Sequence, residues 1–189
     1  MLIMVNDWSI KQAVAVVQQG GVIAYPTEAV WGLGCDPWNE QAVKHLLAVK
    51  RRPMHKGLIL VAATIEQVEP LLHNLTEDQR GVVEASWPGP NTWLIPDTEE
   101  MIPEWVKGKH SSVAVRVSAH PVVQALCSRA DMPLVSTSAN PSSAAPAKSK
   151  LRVSTYFGNR INYRVQGALG DSDRPSVIRD ALTGQTLRV

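Results

Sequence analysis

Apolar residues at Ile10, Ala13, Val14 and Val17 recur at helical spacing and stop at Gly20-Gly21. This predicts a helix over 10–19 closed by a glycine C-cap. The unbroken run Val22-Ile23-Ala24-Tyr25, ended by Pro26, has the pattern of a buried strand. Asn39 is placed to cap a second helix running to Lys50, with Ala42, Val43, Leu46 and Leu47 on one face. Gly57-Leu58-Ile59-Leu60-Val61 reads as another short strand. Thr64 with Gln67, and Thr76 with Gln79, have the spacing of capping boxes. Each opens a short amphipathic segment, and the second closes near Trp87-Pro88-Gly89-Pro90. Trp93-Leu94-Ile95, Val113-Ala114-Val115-Arg116-Val117 and Leu134-Val135-Ser136 are further strands. Pro121 fits the first turn of a helix ending near Arg129. Residues 141–146 read as an exposed Ser/Ala/Pro loop. The alternation at Val177, Arg179, Leu187 and Arg188 predicts late strands returning to the sheet. The whole pattern predicts an α/β sheet with helices packed on it, and leaves the strand directions open.

With 189 residues, 44% hydrophobic and 19% charged, the chain has the size and make-up of one globular domain, 1–189. It shows no internal repeat and no linker that would divide it. No apolar run reaches the length of a membrane span. Met1-Leu2-Ile3-Met4-Val5 is short for a secretory segment and lacks a basic leader. Cys35 and Cys127 lack C-x-x-C spacing and read as two core thiols, so a cytoplasmic location is expected. The net charge of +2 does not by itself announce a nucleic-acid binder.

Four clusters could carry chemistry. The first, 25–34, places a hydroxyl (Thr27), a carboxylate (Glu28) and glycines at a strand's end. That suits a small ligand, although a tight turn explains the same residues. The second holds Lys50, Arg51, Arg52 and Lys56, which read equally well as a phosphate clamp or as cations at a helix C-terminus. The third, Ser136-Thr137-Ser138-Ala139-Asn140-Pro141, offers donors to an oxyanion or serves as cap and turn residues. In the fourth, Ser176 to Asp180, alternation puts Val177 and Arg179 on one face, and Ser176 and Ile178 on the other. There is no phosphate-binding G-x-x-x-x-G-K-[ST] loop, no G-x-G-x-x-G, no H-E-x-x-H and no G-x-S-x-G. His45, His55, His73, His110 and His120 are scattered without metal-ligand spacing.

In their order, Pro26-Thr27-Glu28, the Lys-x-Arg-Pro of Lys50 to Pro53, Trp87-Pro88-Gly89-Pro90, Val113 to Val117, His120-Pro121 and the Ser-x-Asn of Ser138 to Asn140 resemble the YrdC family. The resemblance runs from about Gly20 to Val189, and the length suits the family's bacterial single-domain form. Ala29 and Trp31 stand where relatives often have Thr and Tyr, Val61 where some have His, and Ser143 where Gly is common.

The resemblance implies a twisted α/β sheet with a concave substrate face. It also implies synthesis of L-threonylcarbamoyladenylate from L-threonine, bicarbonate and ATP for tRNA modification at position 37. By position it assigns Thr27, Arg116, Ser136 and Ser176 to threonine. Arg52, Lys56, Ser112, Ser138 and Arg188 go to ATP, and Lys50, Arg52, Ser138 and Asn140 to the catalytic signature. Mg²⁺ is expected to arrive with ATP, without a protein ligand set. Expected partners are tRNA and the threonylcarbamoylation proteins TsaB, TsaD and TsaE, with no membrane. A double-stranded RNA-binding or ribosome-maturation factor is the alternative. Alanine at Lys50 or Arg52 is expected to lower activity with little change in stability.

Overall fold

The protein is seen here as a computed structural model that describes residues 5–173 and 176–188. Asn6 accepts a hydrogen bond from the Ser9 amide and starts α1 (Asp7–Gln18). The chain leaves α1 through Gly20 at φ 79°, a left-handed position suited to glycine. β1 (Ile23–Pro26) pairs antiparallel with β2 (Trp31–Gly34). β2 is absent from the predicted elements, because its two glycines read as a turn. They are required by close approach: a Cβ on Gly34 would lie 2.4 Å from the Val135 carbonyl oxygen.

α2 (Glu40–Lys50) begins at Asn39 as predicted, and β3 spans Ile59–Ala62. The Thr64–Gln67 box does not form. A 3-10 turn occupies Glu66–Val68, and the Gln67 side chain bridges the Ala63 amide and the Cys127 carbonyl. After α3 (Glu69–Leu72), the Thr76–Gln79 box does form and opens α4 (Glu77–Glu84). There follow β4 (Asn91–Pro96), α5 (Glu104–Lys107), β5 (Ser112–Val117), α6 (Pro121–Ala130) and β6 (Leu134–Ser138). The last elements are α7 (Lys150–Phe157), β7 (Tyr163–Arg164), β8 (Val177–Asp180) and β9 (Thr186–Arg188).

The described strands form one mixed sheet in the order β7-β1-β2-β6-β3-β5-β4-β8-β9. β1/β7, β3/β5 and β4/β8 are parallel, and the other neighbours are antiparallel. Register sorts the side chains, since residues paired across strands share a face. On one face Ala24, Leu33, Leu60, Trp93, Val115 and Val135 join α2, α4 and α7 in a continuous apolar layer. On the other, Ile23, Tyr25, Val61 and Leu134 meet α1 and α6 in a smaller layer. Fully burying a residue such as Leu60 contributes about 1.5–3 kcal/mol, so both layers hold the sheet. Cys35 and Cys127 are buried and unpaired, and burial pushes both thiols up. Among the described residues no helix is long and apolar enough to cross a membrane.

Candidate active site

The smaller apolar layer covers only part of its face. Ile59 pairs with Ala114 and Ser136, and Ala114 with Leu94, so these side chains point the same way as Val61 and Leu134. They form the floor of an open cavity of about 320 Å³. Alternation along β5 sends Ser112, Ala114 and Arg116 into it, and Val113, Val115 and Val117 into the large apolar layer.

At one end lie Thr27, Glu28, Arg116, Ser136 and Ser176. Thr27 follows β1 in a tight turn whose hydroxyl donates to the Val30 carbonyl at 2.7 Å, leaving the oxygen's lone pairs able to accept. The Glu28 backbone is held from behind, its carbonyl accepting from the Ser172 amide at 3.1 Å. A Cβ on Gly170 would lie 3.0 Å from the Glu28 Cα, so that approach needs glycine. The Glu28 carboxylate pairs with Arg116 (Oε2 to Nη1, 3.2 Å) and accepts from the Ser118 hydroxyl at 2.6 Å. Burial pushes this carboxyl up, but Arg116 and Ser118 outweigh burial and hold it below the usual carboxylate range. Ser118 also accepts from the His120 amide at 3.1 Å. The His120 Nδ1 accepts from the Val122 amide at the start of α6, which leaves the ring proton on Nε2, facing the Ala168 carbonyl at 3.2 Å. Burial lowers this imidazole's pKa and favours its neutral form. Ser176 shares a 2.8 Å hydrogen bond with Thr92.

The other end is cationic. α2 stops at Arg51, whose left-handed φ of 53° turns the chain toward Arg52 and Pro53. Arg52, Lys56, Lys107, His110 and Ser112 line this end. The Arg52 guanidinium donates to the Gly57 carbonyl at 2.8 Å, bracing the 53–57 turn against its own stem. That turn lies on the segment after α5. A Cβ on Gly108 would fall 2.7 Å from the His55 carbonyl oxygen, and both Gly57 and Gly108 have positive φ. Lys107 is tied to buried Asp97 at 2.8 Å.

Eight of the residues assigned from sequence line this one cavity: Thr27, Arg52, Lys56, Ser112, Arg116, Ser136, Ser138 and Ser176. Lys50 and Asn140 do not line it. Lys50 is 3% exposed and donates to the carbonyls of Ser138 and Asn140, so it braces the turn that carries Ser138. The Asn140 amide donates to the Ala144 carbonyl at 2.7 Å. Both act through the turn. The Arg188 side chain lies outside the described residues. The family resemblance assigns no role to Glu28, Ser118, Lys107 or His110. Glu28 carried a signal in its place beside Thr27 at a strand's end, whereas Ser118 and Lys107 become visible only through their partners.

A cleft with cations and hydroxyls at one end and a paired carboxylate and guanidinium at the other is built for an anionic ligand beside a small polar one. A profile of the Sua5/YciO/YrdC family, described as telomere recombination, matches residues 15–189. The chain belongs to this family. The threonylcarbamoyl-AMP synthase of Marinobacter nauticus is 58% identical over 172 residues, covering 91% of this chain and 90% of that one. Its counterpart in Stutzerimonas stutzeri is 53% identical over 185 residues, covering 98% and 99%. The solved structure of P. abyssi Sua5 complexed with L-threonine matches with a TM-score of 0.87 at 31% identity, covering 94% of this chain and 52% of that one. The chain thus spans about half the length of that protein. E. coli YciO shares the fold, with a TM-score of 0.83 at 21% identity, covering 97% and 89%.

Proposed function

We propose that the chain is a nucleotidyltransferase forming L-threonylcarbamoyladenylate and pyrophosphate from L-threonine, bicarbonate and ATP, for the threonylcarbamoyladenosine of tRNA position 37. The observation that carries this reading is the single cavity that joins the Thr27–Arg116 end to the Arg52–Lys56 end. The curated relatives named threonylcarbamoyl-AMP synthase, similar over nearly the whole chain, support it.

The amine nitrogen of threonine bonds to the carbon of CO₂ derived from bicarbonate, and loses a proton to give a carbamate. A carbamate oxygen then bonds to the α-phosphorus of ATP as the bond to the β-phosphate oxygen breaks and pyrophosphate leaves. No step requires a bond to the enzyme, so the residues serve by placement and charge. Arg52 and Lys56 take phosphate oxygens, while Ser112 and Ser138 offer hydroxyls to the nucleotide. Thr27, Arg116, Ser136 and Ser176 surround the amino acid, and Arg188 is assigned to ATP from sequence alone. Lys50 and Asn140 keep the Ser138 turn in place.

Among the described residues no group of three or more His, Cys, Asp or Glu side chains could hold a metal. Glu28 is the cavity's only described carboxylate and is already paired with Arg116. These residues do not fit a resident Mg²⁺; the ion is proposed to travel on the ATP phosphates, with water completing its shell. The adenylate is proposed to pass to tRNA through TsaB, TsaD and TsaE in the cytoplasm, where ATP and tRNA meet. Mass spectrometry of the product from ATP, threonine and bicarbonate tests the reading. Pyrophosphate release should require both threonine and bicarbonate, and release independent of either overturns it.

A further inference from the structure

We infer that Asp97 is a positioning residue for the cationic end of the cavity: through Lys107 it fixes the backbone seat that holds the 53–57 turn, and with it Arg52 and Lys56. The inference rests on the reading above in placing ATP at that end.

Asp97 follows β4 directly, and its side chain is fully buried. Its carboxylate accepts from the Met101 and Ile102 amides at 2.9 and 3.1 Å, and from the Lys107 ammonium at 2.8 Å. Its own amide donates to the Ser111 carbonyl at 3.0 Å, just ahead of β5. One residue thus gathers the 97–102 loop, the end of α5 and the start of β5. α5 needs such a tie. It is four residues long with no side-chain cap at its N-terminus, and so short a helix does not hold itself. Taking the two charges out of water offsets most of their attraction, so the pair adds little stability that apolar packing would not. What it adds is a fixed place for residues 106–108.

That place matters because backbone meets backbone there. The Val106 carbonyl accepts from the Leu58 amide at 2.8 Å. A Cβ on Gly108 would lie 2.7 Å from the His55 carbonyl oxygen, and one on Gly57 would lie 2.9 Å from that of Lys107. At contacts this close, a shift of one segment passes to the other. The Arg52 guanidinium donates to the Gly57 carbonyl from Nη2 at 2.8 Å and from Nε at 3.3 Å, so its direction follows the turn. Lys56 lies in the turn itself. Asp97 and Gly108 stand outside the cavity wall, and Lys107, which lines it, directs its ammonium to Asp97. The carboxylate therefore acts on a ligand only through these links.

Calorimetry on the full chain, with α,β-methylene-ATP and L-threonine as separate ligands, tests this role. Asp97→Asn keeps an acceptor for the two amides and loses the ion pair. A misplacement of about 1 Å imposed from a distance can cost on the order of 10²-fold, so this variant should weaken the ATP analogue about tenfold or more. Threonine affinity should stay within about twofold of wild type. Lys107→Met should do the same, and the double variant should be no weaker than either single one, since both break one link. Lys107→Arg keeps the pair and should hold both ligands within about threefold of wild type. If Asp97→Asn leaves binding of the analogue unchanged or tightens it, Lys107 is a phosphate ligand that Asp97 restrains, and the inference is overturned. Equal weakening of both ligands reduces Asp97 to a residue that holds the fold, and overturns it too. A wild type that does not bind the analogue overturns it without any variant. Should Asp97→Asn not fold, Gly108→Ala displaces the same seat with every charge kept, and must weaken the analogue alone. Failure of the parent reading shows separately, as absence of threonine- and bicarbonate-dependent pyrophosphate release by the wild type.

Discussion

The Lys50 ammonium donates to the Asn140 carbonyl at 2.8 Å from beneath the turn that carries Ser138, and also to the Ser138 carbonyl. This cation is a brace. The sequence-based expectation that its removal changes stability little is therefore replaced. Lys50→Ala strips two carbonyls of their donor and should cost about 1–3 kcal/mol. Its Tm should fall by about 2–4 °C for each kcal/mol lost. Burial, and then the nearby Arg52 charge, lower the Lys50 pKa from 10.5 to about 8. Between those values the unfolded chain holds more proton than the folded one, so wild-type stability gains from this group as pH rises. The Tm gap between wild type and Lys50→Ala should therefore widen from pH 8 upward. A gap that narrows over that range would show that Lys50 is not buried as a cation.

Arg52→Ala should behave differently. Its guanidinium reaches the cavity, and the Gly57 carbonyl it leaves is at the cavity wall, where water can replace it. Turnover should fall on the order of 10²-fold, with a Tm change within about 2 °C. Near-normal turnover in steady-state kinetics would remove Arg52 from the phosphate site.

Ser143 is exposed, with a φ of 72°. Left-handed backbone costs a non-glycine residue about 1–2 kcal/mol, offset in part by the greater freedom glycine gives the unfolded chain. Ser143→Gly should stabilise by about 0.5 kcal/mol and raise Tm by about 1–2 °C in calorimetry, with activity unchanged. A lowered Tm would contradict the strain argument.

Thr27, Ser136 and Ser176 bring hydroxyls to the Arg116 end of the cavity, the end proposed to take the amino acid. A pocket that hydrogen-bonds the threonine hydroxyl should lose roughly 1–3 kcal/mol for serine's missing methyl, and more for valine's missing hydroxyl. Competition assays should rank threonine above serine and serine above valine. Valine used better than serine would mean that shape alone is read.

If tRNA binds this chain directly through its Lys and Arg residues, affinity should fall steeply with salt as counterions are released. Filter binding across a salt series measures the slope, and a flat response would exclude an electrostatic RNA partner.

Much of this molecule is legible in its sequence where local chemistry decides. Asn39, Thr76 and Pro121 mark helix starts because capping and proline geometry act within a few residues. β2 is hidden because Gly32 and Gly34 serve contacts with Tyr25 and Val135, which lie elsewhere in the chain. Gln67 leaves its predicted cap for Cys127, sixty residues away. α7 has a cap at Ser149 and apolar residues at Val153 and Phe157, but so short a helix owes its existence to packing. In the site, residue types pointed to most of the cavity wall. The difference between Lys50 and Arg52 could not be read, because charge patterns carry no information about burial.

The alternation along β5 has a consequence for how this gene can change. Ser112, Ala114 and Arg116 face the cavity from one strand, while Val113, Val115 and Val117 serve the hydrophobic layer behind it. A one-codon insertion or deletion within that strand would exchange the two sets, driving a guanidinium into the core and valines into the cavity. The exposed 141–146 loop faces no such constraint and can absorb length changes, except where they shift the Ser138 turn. Evolution can vary β5 letter by letter, but not by single-residue changes in its length.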